Sequence, residues 1–317
     1  MKALQCTELG GPEKLQVNEI DAPEAMPGHV VIDVKSGSIN FPDVLMIQGL
    51  YQFQPPLPFI PGGESAGVIS EVGEGVTKFK EGDKVFAMTG VGAFAEKILA
   101  AESNCMPIPE SMDFDSAAAL SMTYGTSLYA LKQRASLQPG ETLLVLGASG
   151  GVGLAAIELG KAMGAKVIAA ASTQDKIDMC LSHGADEGFI YPSSNLDREQ
   201  QKELSNKIKE LTGGLGPNVI YDPVGGSYAE PCLRSIAWEG RYLVIGFAAG
   251  ADQIPKMPLN LTLLKGCQIV GVFWGAWVGQ FPDENKKNFD ELFNLYSEGK
   301  IKPEVSQKYS LEDAASA

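Results

Sequence analysis

The chain has 317 residues, 44% of them hydrophobic, enough for a large core and, by length, for about two domains. Asp and Glu number 39 against 25 Lys and Arg, a net charge of −14. A field of that sign repels polyanions and argues against nucleic acid or an anionic membrane as a partner, while leaving room for a small anionic ligand in a locally basic pocket.

The opening "MKALQCTELGG" turns polar at once, unlike a secretory leader. No later stretch nears the roughly 18 apolar residues of a membrane helix, so a cytoplasmic protein without membrane contact is expected. "HVVIDVKSGSIN", "GVISEVGEGV" and "KVFAM" are predicted as short strands bounded by turn residues, in the manner of a compact antiparallel barrel. Between the first two lies "GLYQFQPPLPFIPGGESAG", with prolines at 55, 56, 58 and 61. Its composition is that of a stiff linker, yet both flanks belong to one β-rich region. The segment therefore reads as a stiffened site edge with Tyr51 at one end and Glu64 at the other.

After Pro109 the texture changes. "DFDSAAALSMTYGTSLYALKQRA" predicts a helix. From residue 139 apolar runs alternate with helical patterns: "TLLVLG", "GVGLAAIELGKAMG", "AKVIAAA", "GFIY", "NVIYD", "RYLVIGF" and "CQIVGVF". That rhythm predicts an α/β fold with a doubly wound parallel sheet. A last helix is expected over "DENKKNFDELFNLYSEGK", capped by Asp283 and closed at Gly299. "YSLEDAASA" reads as the opening turn of a further helix, as though a short C-terminal piece were missing. The expected domains are residues 1–120, 121–260 and 261–317, the last holding the final strand of the parallel sheet and the return to the first domain.

"LLVLGASGGVGLAAIELG" carries the chemical signal. A strand over Leu143–Leu146 runs into Ala148-Ser149-Gly150-Gly151-Val152-Gly153 and then a helix. Glycines permit the turn, and the helix N-terminus offers free N–H groups to a pyrophosphate. The first glycine of the usual motif is Ala148, and a purely structural βα turn is the alternative. The strand, loop, helix and strand succession supports a dinucleotide site with Ser149, Gly150, Gly151 and Val152 as binding residues. An NAD site places an acid at the end of the second strand, where this chain reads Ala171-Ser172-Thr173. A carboxylate there would repel a 2′-phosphate by about 1–4 kcal/mol, whereas Ser172 and Lys176 can bind one. NADPH is the expected cofactor; the alternative is that Asp175 serves NAD and Lys176 is a solvated helix residue.

Five cysteines without a C-x-x-C pair read as reduced core residues. The two histidines, His29 and His183, read as surface or turn residues.

"INFPDVLMIQGLY", "LPFIPGGESAGVISEVGEGV", "FKEGDKVFAM", "TYGTSLYAL", "LVLGASGGVG", "VIYDPVGG", "YLVIGFAAG" and "VGVFWGAW" together resemble the medium-chain dehydrogenase/reductase superfamily, closest to its quinone oxidoreductase branch, over essentially the whole chain. The resemblance implies a GroES-like catalytic domain built from both ends of the chain, an inserted Rossmann domain, and often a homodimer. Zinc-dependent members ligate metal through an early cysteine and the histidine of a G-H-E motif. Here those regions read Ile39-Asn40-Phe41-Pro42-Asp43 and Gly62-Gly63-Glu64, and the cysteine lobe of the structural zinc is also missing. Zinc needs three or four N, S or O ligands, so no zinc site of that pattern is expected.

Without a Lewis acid the accessible acceptors are those that already delocalise charge, a quinone or an alkene conjugated to a carbonyl. The resemblance implies such a reduction, with NADPH as donor. In zinc-free enoyl thioester reductases a tyrosine before the G-x-E segment gives the proton, and the matching residue is Tyr51, for which simple packing in a loop is the alternative. By the same resemblance Asn40 and Thr126 stand near the nicotinamide, although Asn40 can equally be a turn residue and Thr126 can bond back to its own helix. Phe247, Phe273 and Trp274 lie where relatives bring backbone to the carboxamide, or are plain core. Tyr191 matches a tyrosine flanking the adenosine phosphate, or is structural. Two other functions stay open: a reductase specific for enoyl-CoA or other enoyl thioesters, and a non-catalytic NADPH-binding protein.

Overall fold

Short runs of β-branched residues punctuated by glycine set the architecture of the N-terminal third. The computed structural model describes residues 1–192 and 195–317. Seven strands come first: β1 (Lys2–Cys6), β2 (Leu15–Glu19), β3 (His29–Ser38), β4 (Glu64–Val72), β5 (Lys84–Met88), β6 (Lys97–Ala101) and β7 (Cys105–Pro107). β1 and β2 pair with each other, and the rest form an antiparallel sheet in the order β6-β3-β4-β5-β7. Single bridges from Ala3 to Ala95 and from Cys6 to Phe59 tie β1 to the chain around that sheet. Val30, Ile32, Ile69 and Val85 fill the face of the sheet that is shielded from water. β3 shifts register twice against β4, between Val31 and Ile32 and between Val34 and Ser36. Such bulges bend a strand and re-aim its side chains; the second lies just before the end of β3 that leads to Asn40.

Helix α1 (Phe41–Ile47) follows from its first residues. Asn40 occupies the N-cap, Pro42 sits in the first turn, and Asp43 at the third position reaches back to the cap. Pro is tolerated there because the first amides have no partner within the helix. Helix α2 (Phe114–Leu128) is the long helix expected after Pro109, and its last turns widen into a π-helical segment, Tyr129–Arg134.

The second half carries β8 (Thr142–Val145), β9 (Lys166–Ala171), β10 (Glu187–Ile190), β11 (Val219–Asp222), β12 (Arg241–Val244) and β13 (Gln268–Gly271). They form one parallel sheet in the order β10-β9-β8-β11-β12-β13, the doubly wound arrangement with its switch point beside the first strand. All four residues of β11 are buried, as a strand covered on both faces requires. Its helices include α3 (Gly151–Ala162), α4 (Gln174–Ser182), α5 (Arg198–Leu211), α6 (Ala229–Ser235), α7 (Asn260–Lys265), α8 (Trp274–Gln280) and α9 (Pro282–Ser297).

Helix α9 begins two residues earlier than the sequence suggests. Phe281 is the N-cap and Pro282 the first helical residue, so Asp283 lies inside the first turn and does not cap. Proline sets the helical φ and lacks the N–H that a cap would satisfy, while Asp283 still favours the positive helix end. Gly299, with φ of +68°, follows the last turn as expected.

The chain divides into two compact units, Met1–Met122 with Pro303–Ala317, and Thr123–Lys302. β13 and α9 thus belong to the second unit, and the return to the first is confined to the last residues. There Leu311 and Ala314 pack against Leu4 and Phe94, and Lys2 pairs with Glu312 at 2.7 Å. The expected final helical turn is a 3-10 turn, Leu311–Ser316, opened by Ser310. No helix among the described residues is long and apolar enough to cross a membrane.

Candidate active site

In the second unit, β8 leads into a turn whose geometry the sequence dictates. Gly147 adopts φ of +54°, a left-handed conformation that favours glycine. Its amide donates to the Tyr191 hydroxyl at 3.1 Å, and the Ala148 amide donates to the Ala170 carbonyl at 3.1 Å. Gly150 is the N-cap of α3 and has no side chain to occupy the first amides, while Gly150 and Gly151 are exposed and Ser149 and Val152 half-buried. The first-turn N–H groups therefore remain available to an anion, with the helix dipole behind them. A Cβ on Gly153 would lie 2.6 Å from the carbonyl oxygens of both Gly147 and Ala148. That glycine lets α3 close against the loop.

Tyr191 is buried and tilted against Tyr228, with ring centroids 4.8 Å apart. Burial pushes its phenol up to about 12. Its hydroxyl braces the first turn of the loop from the end of β10. At the end of β9, the Lys176 Nζ donates to Ser172 Oγ at 3.2 Å, so the two expected phosphate ligands converge. Thr173 caps α4, accepting from the Lys176 amide at 3.4 Å. Asp175 stands exposed in the first turn of α4, off the strand end.

The other expected residues of this unit separate into two kinds. Thr126 is half-buried on α2, and the hydroxyl that bonds back to the helix is that of Ser127, to the Thr123 carbonyl at 2.8 Å. Phe247 is half-buried after β12, and Phe273 is exposed after β13. Trp274 is core: it is buried, donates from Nε1 to Asn285 at 3.3 Å and tilts against Phe289. His183 is the turn residue of the two expected alternatives, the C-cap of α4, but it is not on the surface: its side chain is 11% exposed and its Nδ1 lies 2.7 Å from the carboxylate of buried Glu158. Glu158 also accepts from Tyr124 at 2.6 Å and from the Lys302 amide at 2.8 Å. His29 opens β3 directly after the turn at Pro27 and Gly28, half-buried, with Nδ1 2.9 Å from the Pro27 carbonyl.

In the first unit, a polar cluster forms where α1 meets the start of β4. Glu64 is 1% exposed. One of its oxygens accepts from Asn40 Nδ2 at 2.6 Å; the other accepts from Ser121 Oγ and from the Met122 amide at 2.8 Å. Burial raises its pKa against the opposing effect of those donors. Asp43 is equally secluded, at 5% exposure, and accepts from the Asn40 amide at 2.8 Å. Burial pushes it up to about 7, with the charge of Glu64 adding to the rise and the amides of Asn40, Gly62 and Gly63 opposing it. Tyr51 is half-buried beside Met46, Ile47 and Phe59. Its phenol is raised by burial and by Asp43, which keeps it a proton donor near neutrality.

Asp43 and Ser121 escape motif reading, as does the Glu158 and His183 pair. Only Asp43 has a local signal: an Asn three residues before an Asp, ahead of an apolar run, is a capping pattern.

Two family models match the chain, the alcohol dehydrogenase GroES-like domain over residues 26–110 and the zinc-binding dehydrogenase domain over residues 151–294. The quinone oxidoreductase-like protein 2 homolog of Nematostella vectensis is 38% identical over 98% of this chain and 83% of its own length. The quinone oxidoreductase of Pseudomonas aeruginosa is 35% identical over 100% of this chain and 94% of its own. The chain belongs to the medium-chain dehydrogenase/reductase superfamily, in its quinone oxidoreductase branch. Among solved structures, Escherichia coli quinone oxidoreductase complexed with NADPH has a TM-score of 0.88 and 30% identity, covering 100% of this chain and 94% of that one. The parallel sheet is thus the Rossmann unit and the antiparallel sheet the GroES-like unit of an oxidoreductase.

Because Gly153 abuts two loop carbonyls, Gly153→Ala should force the loop and α3 apart. The expected cost is about 1–3 kcal/mol, read as a Tm lowered by several degrees in a thermal melt of the variant beside the wild type.

Proposed function

We propose that this protein is an NADPH-dependent, zinc-independent reductase of quinones or of alkenes conjugated to a carbonyl. The observation that carries the cofactor is the pairing of Lys176 with Ser172 at the end of β9, where an NAD site would present an acid. The open first turn of α3 suits the pyrophosphate, and Gly147, Gly150 and Gly153 give it a backbone cradle. NADPH in the Escherichia coli relative agrees with that reading. The bound cofactor supplies a hydride.

The chain's own residues do the rest. Asn40 and Gly63 stand at the positions of the missing metal ligands, and the Glu64 carboxylate is already engaged by Asn40, Ser121 and Met122. The acceptor must therefore carry its own electron sink. Asn40 orients from the α1 N-cap. Tyr51, with a raised phenol pKa, holds a proton at its hydroxyl for the carbon or oxygen that needs one after hydride addition.

A second reading, reduction of enoyl thioesters, is favoured by that same phenol, because an enolate must be protonated whereas a quinone reduction needs no dedicated donor. NADPH oxidation measured with a quinone panel and with crotonyl-type thioesters separates the two. Tight NADPH binding with no oxidation of either class sinks the enzymatic reading and leaves a binding protein.

We also propose a homodimer through the Rossmann unit. β13 pairs on one side only among the described residues, and Trp238, Leu259, Leu263 and Leu264 of that unit are at least 66% exposed, large apolar side chains that a second copy could cover.

Three outcomes follow. Lys176→Ala should weaken NADPH about tenfold or more, the worth of one charge-assisted hydrogen bond, while NADH affinity measured by fluorescence titration stays nearly constant. Tyr51→Phe should slow enoyl reduction roughly a hundredfold with cofactor affinity intact; unchanged turnover removes the proton-donor role. In light scattering, the wild type should run as a dimer and Leu263→Glu as a monomer.

A further inference from the structure

The Asp43 side chain forms a hinge point between the two segments that frame the first unit's polar cluster. It lies on α1, accepts from the Asn40 amide at 2.8 Å, and is faced by the amides of Gly62 and Gly63 ahead of β4. Asn40 in turn holds Glu64 at 2.6 Å. The carboxyl is thus the link through which the α1 N-cap and the Gly62-Gly63 turn keep a common geometry. We propose that Asp43 is a positioning residue of the reductase site, whose ionised carboxylate holds Asn40 and the Gly62-Gly63 turn in register and whose protonation releases them.

The charge balance around it is specific. The titratable groups facing Asp43 are Glu64 on β4 and Tyr51 after α1. Among the influences resolved at Asp43, no cationic side chain appears; the only stabilisers of its charge are backbone amides. A carboxylate held by amides alone, next to a second carboxylate, is a proton-sensitive contact. Its titration near pH 7 brings that sensitivity into the working range. A protonated carboxyl accepts the three amides more weakly, so the register of Asn40 loosens as pH falls. An ionised Asp43 also holds Tyr51 in its protonated form, so the positioned state and the proton-donating state coincide. Asp43 itself need not touch the acceptor.

This inference rests on the reductase reading above, and its test separates the two. In wild-type protein, kcat/KM for the reduced acceptor should fall about tenfold per pH unit on the acid side of roughly pH 7. In Asp43→Asn the profile should be flat across that range and lie below the wild-type plateau, with kcat lowered more than KM is raised. Glu64→Gln should keep the acid limb and move its midpoint downward, because one of the influences raising Asp43 is gone. An acid limb that survives in Asp43→Asn, or that disappears in Glu64→Gln, overturns the proposal.

A second measurement needs no turnover. A carboxyl raised from 3.8 to about 7 on folding contributes stability that is present at low pH and is lost as pH rises through the folded value. The Tm of wild type relative to Asp43→Asn should therefore fall between about pH 4 and pH 7. A constant difference overturns the assignment of the proton to Asp43. If no acceptor is reduced but the Tm difference titrates, the reductase reading fails while Asp43 remains the titrating link.

Discussion

A carboxylate sealed from water has to be satisfied by donors or lose its charge, and Glu64 imposes that constraint on the GroES-like unit. At 1% exposure, leaving it unpaired would cost several kcal/mol. Its donors come from separate parts of the chain: Asn40 at the N-cap of α1, and Ser121 and Met122 on α2. Meeting them fixes where α1 begins relative to β4 and where α2 passes. The same arrangement fixes the Asn40 side chain. Fold and candidate chemistry are therefore one requirement in this unit, and the bulges that steer the end of β3 toward Asn40 serve both.

The Rossmann unit meets its demand by other means. An anion site in a chain of net charge −14 must create its positive potential locally. The candidate site offers mainly backbone: the first turn of α3, opened by glycine, and a loop pinned by Tyr191 and by the Ala170 carbonyl. Lys176 reaches the end of β9, where the Ser172 hydroxyl accepts from it. Backbone dipoles carry no net charge, so such a site survives inside an acidic surface with little disturbance of the overall field.

Sequence made much of this legible where a feature is local or periodic. Apolar runs such as Val219–Tyr221 announce buried parallel strands, and the glycines from Gly147 to Gly153 announce the turn that opens α3. Reading fails where the partner lies far along the chain. His183 is the turn residue it looks like, but its partner, Glu158, sits in the preceding helix, and nothing in either segment advertises the pair. Asp283 looks like a cap because local propensity cannot weigh it against Pro282. Ser121 is an ordinary helix serine until β4 brings Glu64 beneath it. Tyr191 is expected beside the adenosine phosphate or as a structural residue, and its bond to the Gly147 amide, which depends on the register of β10 against β9, is not written in the sequence.

The absence of histidine at Gly63 changes more than metal affinity. A metal ion at that point would neutralise nearby carboxylates; without one, Asp43 and Glu64 each raise the cost of ionising the other. The site has kept both acids and manages them differently. Glu64 is held by side-chain and backbone donors, whereas the donors that act most on Asp43 are the backbone amides of Asn40, Gly62 and Gly63. Negative charge building up beside this pair would raise the cost of ionising either acid further, so the two carboxyls respond to any charge that enters the cluster.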